Sequence, residues 1–149
     1  MFVAKFKRIV AEAKIPVYNF ESAGMDFFSI EKIIVKSGKQ RVISTGLIWE
    51  PKIPKRYKKF FKPYLQIEGR SGLALKNGIS ILGGIIDCDY RGIIKIIINN
   101  AGSETLVINV GDKIAQGIFH LIPKVKIKEV ENINNTERGK KGFGSSGAR

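Results

Sequence analysis

Acidic residues are scarce in this sequence. Thirteen aspartates and glutamates against 26 lysines and arginines leave a formal charge of +13 over 149 residues. That imbalance predicts a positive field and attraction to polyanions: nucleic acid, an anionic membrane surface or a small polyphosphate. Cysteine is scarcer still. Cys88 stands alone, so no disulfide forms within the chain, and a reducing intracellular setting is expected, cytoplasmic with the nucleus open. His120 is the only histidine, which leaves no Cys/His zinc site and no Cys/His nucleophile pair. Long apolar runs are missing too. The opening "MFVAKFKRIVAEAK" is broken by charge every few residues, so neither a secretory signal nor a membrane span is expected. No G-x-x-x-x-G-K-[ST] phosphate loop occurs, and Ser71 has no evident base partner, which argues against a serine hydrolase.

What the chain does contain is isoleucine and valine in short segments. "KIIIN", "TLVINV", "KVKIKEV", "IEKIIV" and "RVISTGLIW" read as strands. The alternation in "VKIKEV" predicts one buried and one solvated face. Turn signals separate these segments at Ser37-Gly38, Asn77-Gly78, Gly83-Gly84, Ala101-Gly102 and Gly111-Asp112. One all-β domain follows, a sandwich, jelly roll or barrel. A single short helix is expected in "SGLALKNG", with Ser71 as its N-cap and Asn77-Gly78 as its stop. The basic segment Lys52 to Lys62 reads as a solvated loop, or as a surface for weak nucleic-acid binding because aromatic residues are interleaved with its cations.

Five segments carry candidate chemistry. In "GRSGLALKNG" the helix N-terminus, Arg70, Ser71 and Gly72 suit an anion such as phosphate. In "GGIIDCDYRG" Gly83-Gly84 before the run and Arg91-Gly92 after it look like a hairpin, and Asp87 and Asp89 are two apart, which in extended structure puts them on one face. Either a carboxylate there activates a water, or Arg91 neutralises an ordinary pair of turn acids. Tyr90 is a lid for a ring or a half-buried strand aromatic. In "GDKIAQGIF" Gln116 interrupts an apolar stretch and is satisfied by backbone or reserved for a ligand. In "SAGMDFFS" Asp26 caps a turn, holds a basic partner or faces a hydrated cation. The final "ERGKKGFGSSGAR" is glycine-rich and loose by composition, yet Arg138 could meet phosphate and the Phe143 ring could stack on a base.

In this order and spacing the five segments resemble the motifs of the trimeric deoxyuridine triphosphatase (dUTPase) family. The stretches are "AGMDF" (Ala23 to Phe27), "GRSGLALKNGI" (Gly69 to Ile79), "GGIIDCDYRG" (Gly83 to Gly92), "GDKIAQGIF" (Gly111 to Phe119) and "RGKKGFGSSG" (Arg138 to Gly147). The resemblance implies a jelly-roll-like distorted barrel assembled as a homotrimer, with residues 1–136 as the body and 137–149 as a tail closing over an active site. It implies Mg²⁺-assisted attack of water on the α-phosphate of dUTP, giving dUMP and pyrophosphate, limiting uracil in DNA and supplying dUMP for thymidylate synthesis. Each site would be shared: the second and fourth motifs from one chain, the third from a neighbour, the tail from the third.

By position, Asp87 resembles the base that orients the water, and Tyr90 the ring that packs on the sugar and excludes a ribose 2′-hydroxyl. Backbone from Gly84 through Ile85 to Ile86 would read uracil. Arg70, Ser71, Gly72 and Gln116 would hold phosphates. Arg138, Ser145 and Ser146, joined by Gly144, would close over the triphosphate while Phe143 covers the base. Asp26 would stand near the hydrated metal, through water, or near the basic side chains. The chain departs from the family pattern at Phe27 (usually Leu), Gly69 (usually Pro), Gly117 (usually a larger apolar residue), Lys141 (usually Gly) and Ser146 (usually Thr). None of these removes a proposed catalytic group.

Overall fold

The computed structural model describes residues 1–19 and 21–142, and their architecture is all-β and jelly-roll-like. In chain order the elements are β1 (Val3–Arg8), β2 (Val17–Tyr18), β3 (Met25–Phe28), β4 (Ile33–Val35), β5 (Gln40–Ser44), β6 (Leu47–Lys52) and α1 (Lys55–Lys58). There follow β7 (Phe61–Glu68), α2 (Ser71–Asn77), β8 (Ile79–Leu82), β9 (Ile85–Asp87), β10 (Lys95–Asn100), β11 (Leu106–Ile108) and β12 (Lys113–Pro123). Among the described residues the strands form four sheets: β1-β6, β5-β10-β8, β11-β4 and β2-β3-β12-β7-β9. None of the described helices is long and apolar enough to cross a membrane.

The five-stranded sheet is organised by the β12–β7 ladder, which runs from Gln116 opposite Glu68 to Pro123 opposite Phe61. β7 shows why: Pro63, Leu65 and Ile67 alternate into the core, while Tyr64, Gln66 and Glu68 lie half-buried on the other face. Trp49, Phe27, Ile43, Leu47, Leu65, Ile94, Ile96, Ile98 and Ile114 are almost wholly buried. Full burial of each such aliphatic side chain is worth about 1.5–3 kcal/mol. The one buried amide among them is fully used. Asn100 donates to the Val35 and Glu104 carbonyls and accepts from the Gly102 N–H, which fastens β10 to β4.

Several expectations are corrected. Among the described residues there are two helices, not one. The extra one, α1, is a single turn inside the segment read as a loop. Pro54 enters it at φ −59° and accepts the Tyr57 N–H at 3.0 Å, and the Tyr57 ring packs on Phe2 and Phe61 at centroid distances of 5.1 and 6.1 Å. Helix α2 forms as expected and stops at Gly78 with φ +66°, but Arg70 is its N-cap and Ser71 is its first helical residue. "RVISTGLIW" is two strands in two sheets. Gly46, at φ +65°, makes the corner, where a Cβ would press on Val10 and Ala13 at 2.7 and 2.9 Å.

"GGIIDCDYRG" is not a hairpin: β8 pairs with β10, whereas β9 pairs with β7. The chain changes sheet at Gly83-Gly84. The Ile67 N–H bonds the Gly84 carbonyl at 2.7 Å, and a Cβ on Gly84 would overlap the Ile67 carbonyl oxygen. "VKIKEV" forms no strand. Its alternation needs a neighbouring edge, yet past the bond from Lys124 N–H to the Phe60 carbonyl it pairs with nothing described, leaving Val125, Ile127 and Ile133 79%, 93% and 83% exposed.

Two departures from the family pattern turn out to be one feature. A Cβ on Gly117 would collide with the Phe27 ring and sit 3.1 Å from Leu65. Phe27 is wholly buried, edge-on to Phe6 at 5.9 Å. The larger ring on β3 therefore fills the volume that Gly117 leaves empty on β12. Gly117→Ala should destabilise the chain by about 1–3 kcal/mol through overpacking. Adding Phe27→Leu should recover most of that loss, as a coupled pair does in a double-mutant cycle. Urea denaturation measures both, and equal losses with and without Phe27→Leu would refute the coupling.

Candidate active site

Asp26 is the best-connected side chain in the motif segments. It sits on β3, only 6% exposed. Its Oδ1 lies 3.2 Å from Arg70 Nε, and its Oδ2 lies 2.8 Å from Lys113 Nζ and accepts from Asn19 Nδ2 at 2.7 Å. Burial alone would raise its pKa. The Lys113 hydrogen bond, the charges of Arg70 and Lys113 and the Asn19 amide outweigh burial and hold the carboxyl below its ordinary value. Of the roles open to Asp26, holding basic partners is the one seen. It ties β3 to the start of β12 and to the N-terminus of α2.

Gln116 completes this cluster. It lies opposite Asp26 on one side and Glu68 on the other. Its Nε2 donates to the Gly69 carbonyl at 2.9 Å, and its side chain presses so close to Gly24 that a Cβ there would lie 2.7 Å from Oε1. Backbone therefore satisfies one amide hydrogen of Gln116, and the second has no acceptor among the described residues. Arg70 also reaches the Lys113 carbonyl at 3.4 Å. Gly69 and Arg70 are thus clamped from two sides, which aims the first turn of α2. Ser71 and Gly72 are exposed in that turn, no side chain caps it, and the space beside Gly72 is open. Its leading N–H groups have no acceptor within the helix.

Asp87 and Tyr90 occupy a second locus. Asp87 ends β9, exposed, opposite Tyr64 of β7. It opens on a cleft of about 400 Å³ with Lys62, Tyr64, Ile85, Cys88 and Asp89. Asp89 has left the strand in a turn, yet it lines the same cleft as Asp87. Arg91 does not neutralise the acids; its Nη1 bonds the carbonyls of Cys88 and Tyr90 at 2.8 and 3.0 Å. Tyr90 is neither in a strand nor buried. Its hydroxyl donates to the Ile93 carbonyl at 3.1 Å, and its ring lies over Gly92, where a Cβ would overlap the hydroxyl. Of the backbone positions expected to read a base, Ile85 is exposed and Gly84 and Ile86 are half-buried.

The chain does not bring the two loci together. Asp87 pairs at Tyr64 and Gln116 at Glu68, four residues along β7, which is about 13 Å at the rise of a strand. Arg138 lies beyond the last sheet, exposed, with its Nε bonded to the Lys141 carbonyl at 3.0 Å. Phe143, Gly144, Ser145 and Ser146 lie outside the described residues. Sequence reading missed Lys113, Asn19, Gly24 and Gly92. Lys113 and Gly92 stood inside quoted motifs, but nothing in their spacing marked a partner for Asp26 or a seat for Tyr90.

The family model described as dUTPase matches residues 12–147. A deoxyuridine 5'-triphosphate nucleotidohydrolase of Nautilia profundicola is 42% identical over 146 residues, covering 96% of this chain and 97% of that protein. The protein of the same name from Clostridium tetani is 42% identical over 149 residues, covering 98% and 97%. Among solved structures, Staphylococcus bacteriophage 80alpha dUTPase with dUPNHPP superposes with a TM-score of 0.84 at 27% identity, covering 97% of this chain and 98% of that one.

The Asp26 cluster makes stability pH-dependent. Because the folded carboxyl titrates below its unfolded value of about 3.9, its contribution is complete above that value and disappears as pH falls through the lower folded one. Asp26→Asn should cost about 2 kcal/mol at pH 7, the scale of hydrogen bonds to a charged group. The gap to wild type should begin to narrow below about pH 4 and close as pH falls through the lower folded value. Denaturant titrations from pH 3 to 8 test this, and a pH-independent gap would show that the ion pairs contribute nothing.

Proposed function

This chain belongs to the dUTPase family, and from that premise we propose that it hydrolyses dUTP to dUMP and pyrophosphate with its active sites shared between subunits of a homotrimer. The observation that carries the reading is the separation on β7. A free, exposed carboxylate at Asp87 and an uncapped, clamped helix start at Arg70, Ser71 and Gly72 are complementary halves of a phosphate-cleaving site. In one chain Asp87 and Gln116 stand about 13 Å apart along β7, farther than a water on the α-phosphorus stands from the oxygens of the same triphosphate. A neighbour's Asp87 locus set against this chain's α2 locus resolves the distance. The unpaired arm at residues 124–136 supports assembly, because its apolar side chains Val125, Ile127 and Ile133 have nothing within the described chain to cover them.

In this mechanism the Asp87 carboxylate takes a proton from a water aligned with the α-phosphorus, a general-base contribution of about 10²–10⁴-fold. Arg70, the N–H groups of Ser71 and Gly72 and the second amide hydrogen of Gln116 hold phosphate oxygens and offset charge that grows in the transition state. Backbone around Gly84, Ile85 and Ile86 meets the uracil edge. Tyr90, pinned over Gly92, packs against the deoxyribose and leaves no room for a 2′-hydroxyl. Residues 1–136 form the body, and the tail from 137 to 149 brings Arg138, Ser145 and Ser146 to the phosphates and Phe143 to the base.

The family uses Mg²⁺. Among the described residues no group of three His, Cys, Asp or Glu could cage a metal, and both oxygens of Asp26 are engaged by cations. The residues present therefore fit an ion that arrives with the nucleotide and keeps mostly phosphate and water ligands. Bound there, it would neutralise triphosphate charge.

Asp87→Asn should remove most turnover and leave nucleotide affinity largely intact; near-wild-type rates would displace Asp87 as the base. Pyrophosphate release from dUTP without ammonia from dCTP separates this activity from a deaminase. Sharing is tested by mixing Asp87→Asn and Arg70→Ala chains, each inactive alone. After joint refolding, random assortment restores about a quarter of the sites in a closed ring. No recovery would place both loci of a site in one chain. Deleting residues 138–149 should abolish most turnover while the oligomer, followed by sedimentation, persists; unimpaired kinetics would refute the closing tail.

A further inference from the structure

Apart from Lys62, which also lines the Asp87 cleft, the hydrolase site leaves one strongly basic surface unused. Lys52, Lys55, Arg56, Lys58, Lys59 and Lys62 lie within eleven residues that contain no acid. All six are exposed, and none joins an ion pair among the described residues. Helix α1 sits in the middle of this run with no buried residue. Tyr57 is held between Phe2 and Phe61, which fixes the turn to the body. Phe60 is 58% exposed, with Lys59 Nζ 5.4 Å from its ring centroid. The chain leaving β12 adds to the patch: Lys124 Nζ bonds the Lys58 carbonyl at 2.7 Å. With Lys58 and Lys62, Lys124 rims a shallow groove floored by Pro51, Ile53 and Phe61.

We propose that this surface binds single-stranded nucleic acid without sequence preference, with the amino groups on successive phosphates and Phe60 stacked on a base. Cations spread along a ridge suit a linear polyanion better than a compact polyphosphate, which needs them to converge. An exposed ring face between cations suits an unstacked base, whereas the bases of a duplex are already stacked. A membrane surface fits less well, since α1 is one turn with no continuous apolar face to insert.

The test uses the full-length protein and a fluorescent oligothymidylate of about 20 nucleotides, read by anisotropy across a salt series. Affinity should fall steeply with salt. Lys55→Gln, Lys58→Gln and Lys59→Gln together should weaken binding about tenfold and flatten the log–log salt slope by about two, since each single-strand phosphate contact contributes about 0.7. Phe60→Ala should weaken single-strand binding at least about fivefold and leave binding to the same-length duplex unchanged. Neither variant should alter dUTP turnover. Absence of binding by wild type, or binding that survives the triple substitution, overturns the proposal. Uptake on phosphatidylserine vesicles without oligonucleotide binding assigns the patch to a lipid surface and overturns it equally.

Discussion

The geometry of the α2 start depends on one buried carboxylate. Asp26 holds Arg70 and Lys113 and accepts from Asn19, so three side chains, two of them from segments distant in sequence, converge on its two oxygen atoms. Breaking such a cluster by removing the acid leaves two cations with reduced compensation. Its effect is also directional. Arg70 caps α2 by position, and its Nε is held by Asp26, so the fork is oriented before a ligand arrives. Gln116 clamps Gly69 beside it. Preorganisation of this sort matters in phosphate chemistry, where electrostatic positioning carries most of the catalysis.

Much of the fold was legible because its signals are local. The isoleucine- and valine-rich runs "KIIIN" and "TLVINV", turn residues at Asn77-Gly78 and the short α2 all appear where local chemistry requires them. The errors share a cause: local pattern does not specify the partner. "VKIKEV" alternates like a strand, but nothing described in its own chain pairs with it. Gly83-Gly84 resembles a hairpin turn and is instead a crossing between sheets, set by the contact of Gly84 with Ile67. Pro54 and the packing of Tyr57 make α1 helical in a segment whose charge suggested only a loop.

The candidate site was legible by motif and opaque by geometry. Asp87, Tyr90, Arg70 and Gln116 were all singled out. That Asp87 sits about 13 Å along β7 from Gln116 follows only from the strand register. The supports were harder to find. Lys113 looks like one lysine among many in a chain with 26 basic residues, and only three ion pairs form among the described residues. Excess positive charge hides its few structural members. Gly92 and Gly117 act through side chains they lack, which no pattern of chemistry-bearing residues reveals.

The division of the site along β7 makes catalysis a matter of mass action. On the proposed arrangement a solitary subunit holds both halves and can use neither, however well folded it is. Specific activity then depends on protein concentration near the dissociation constant of the assembly, with dilution silencing an enzyme whose secondary structure is intact. A chain newly released from the ribosome would bind no nucleotide productively until it met its partners.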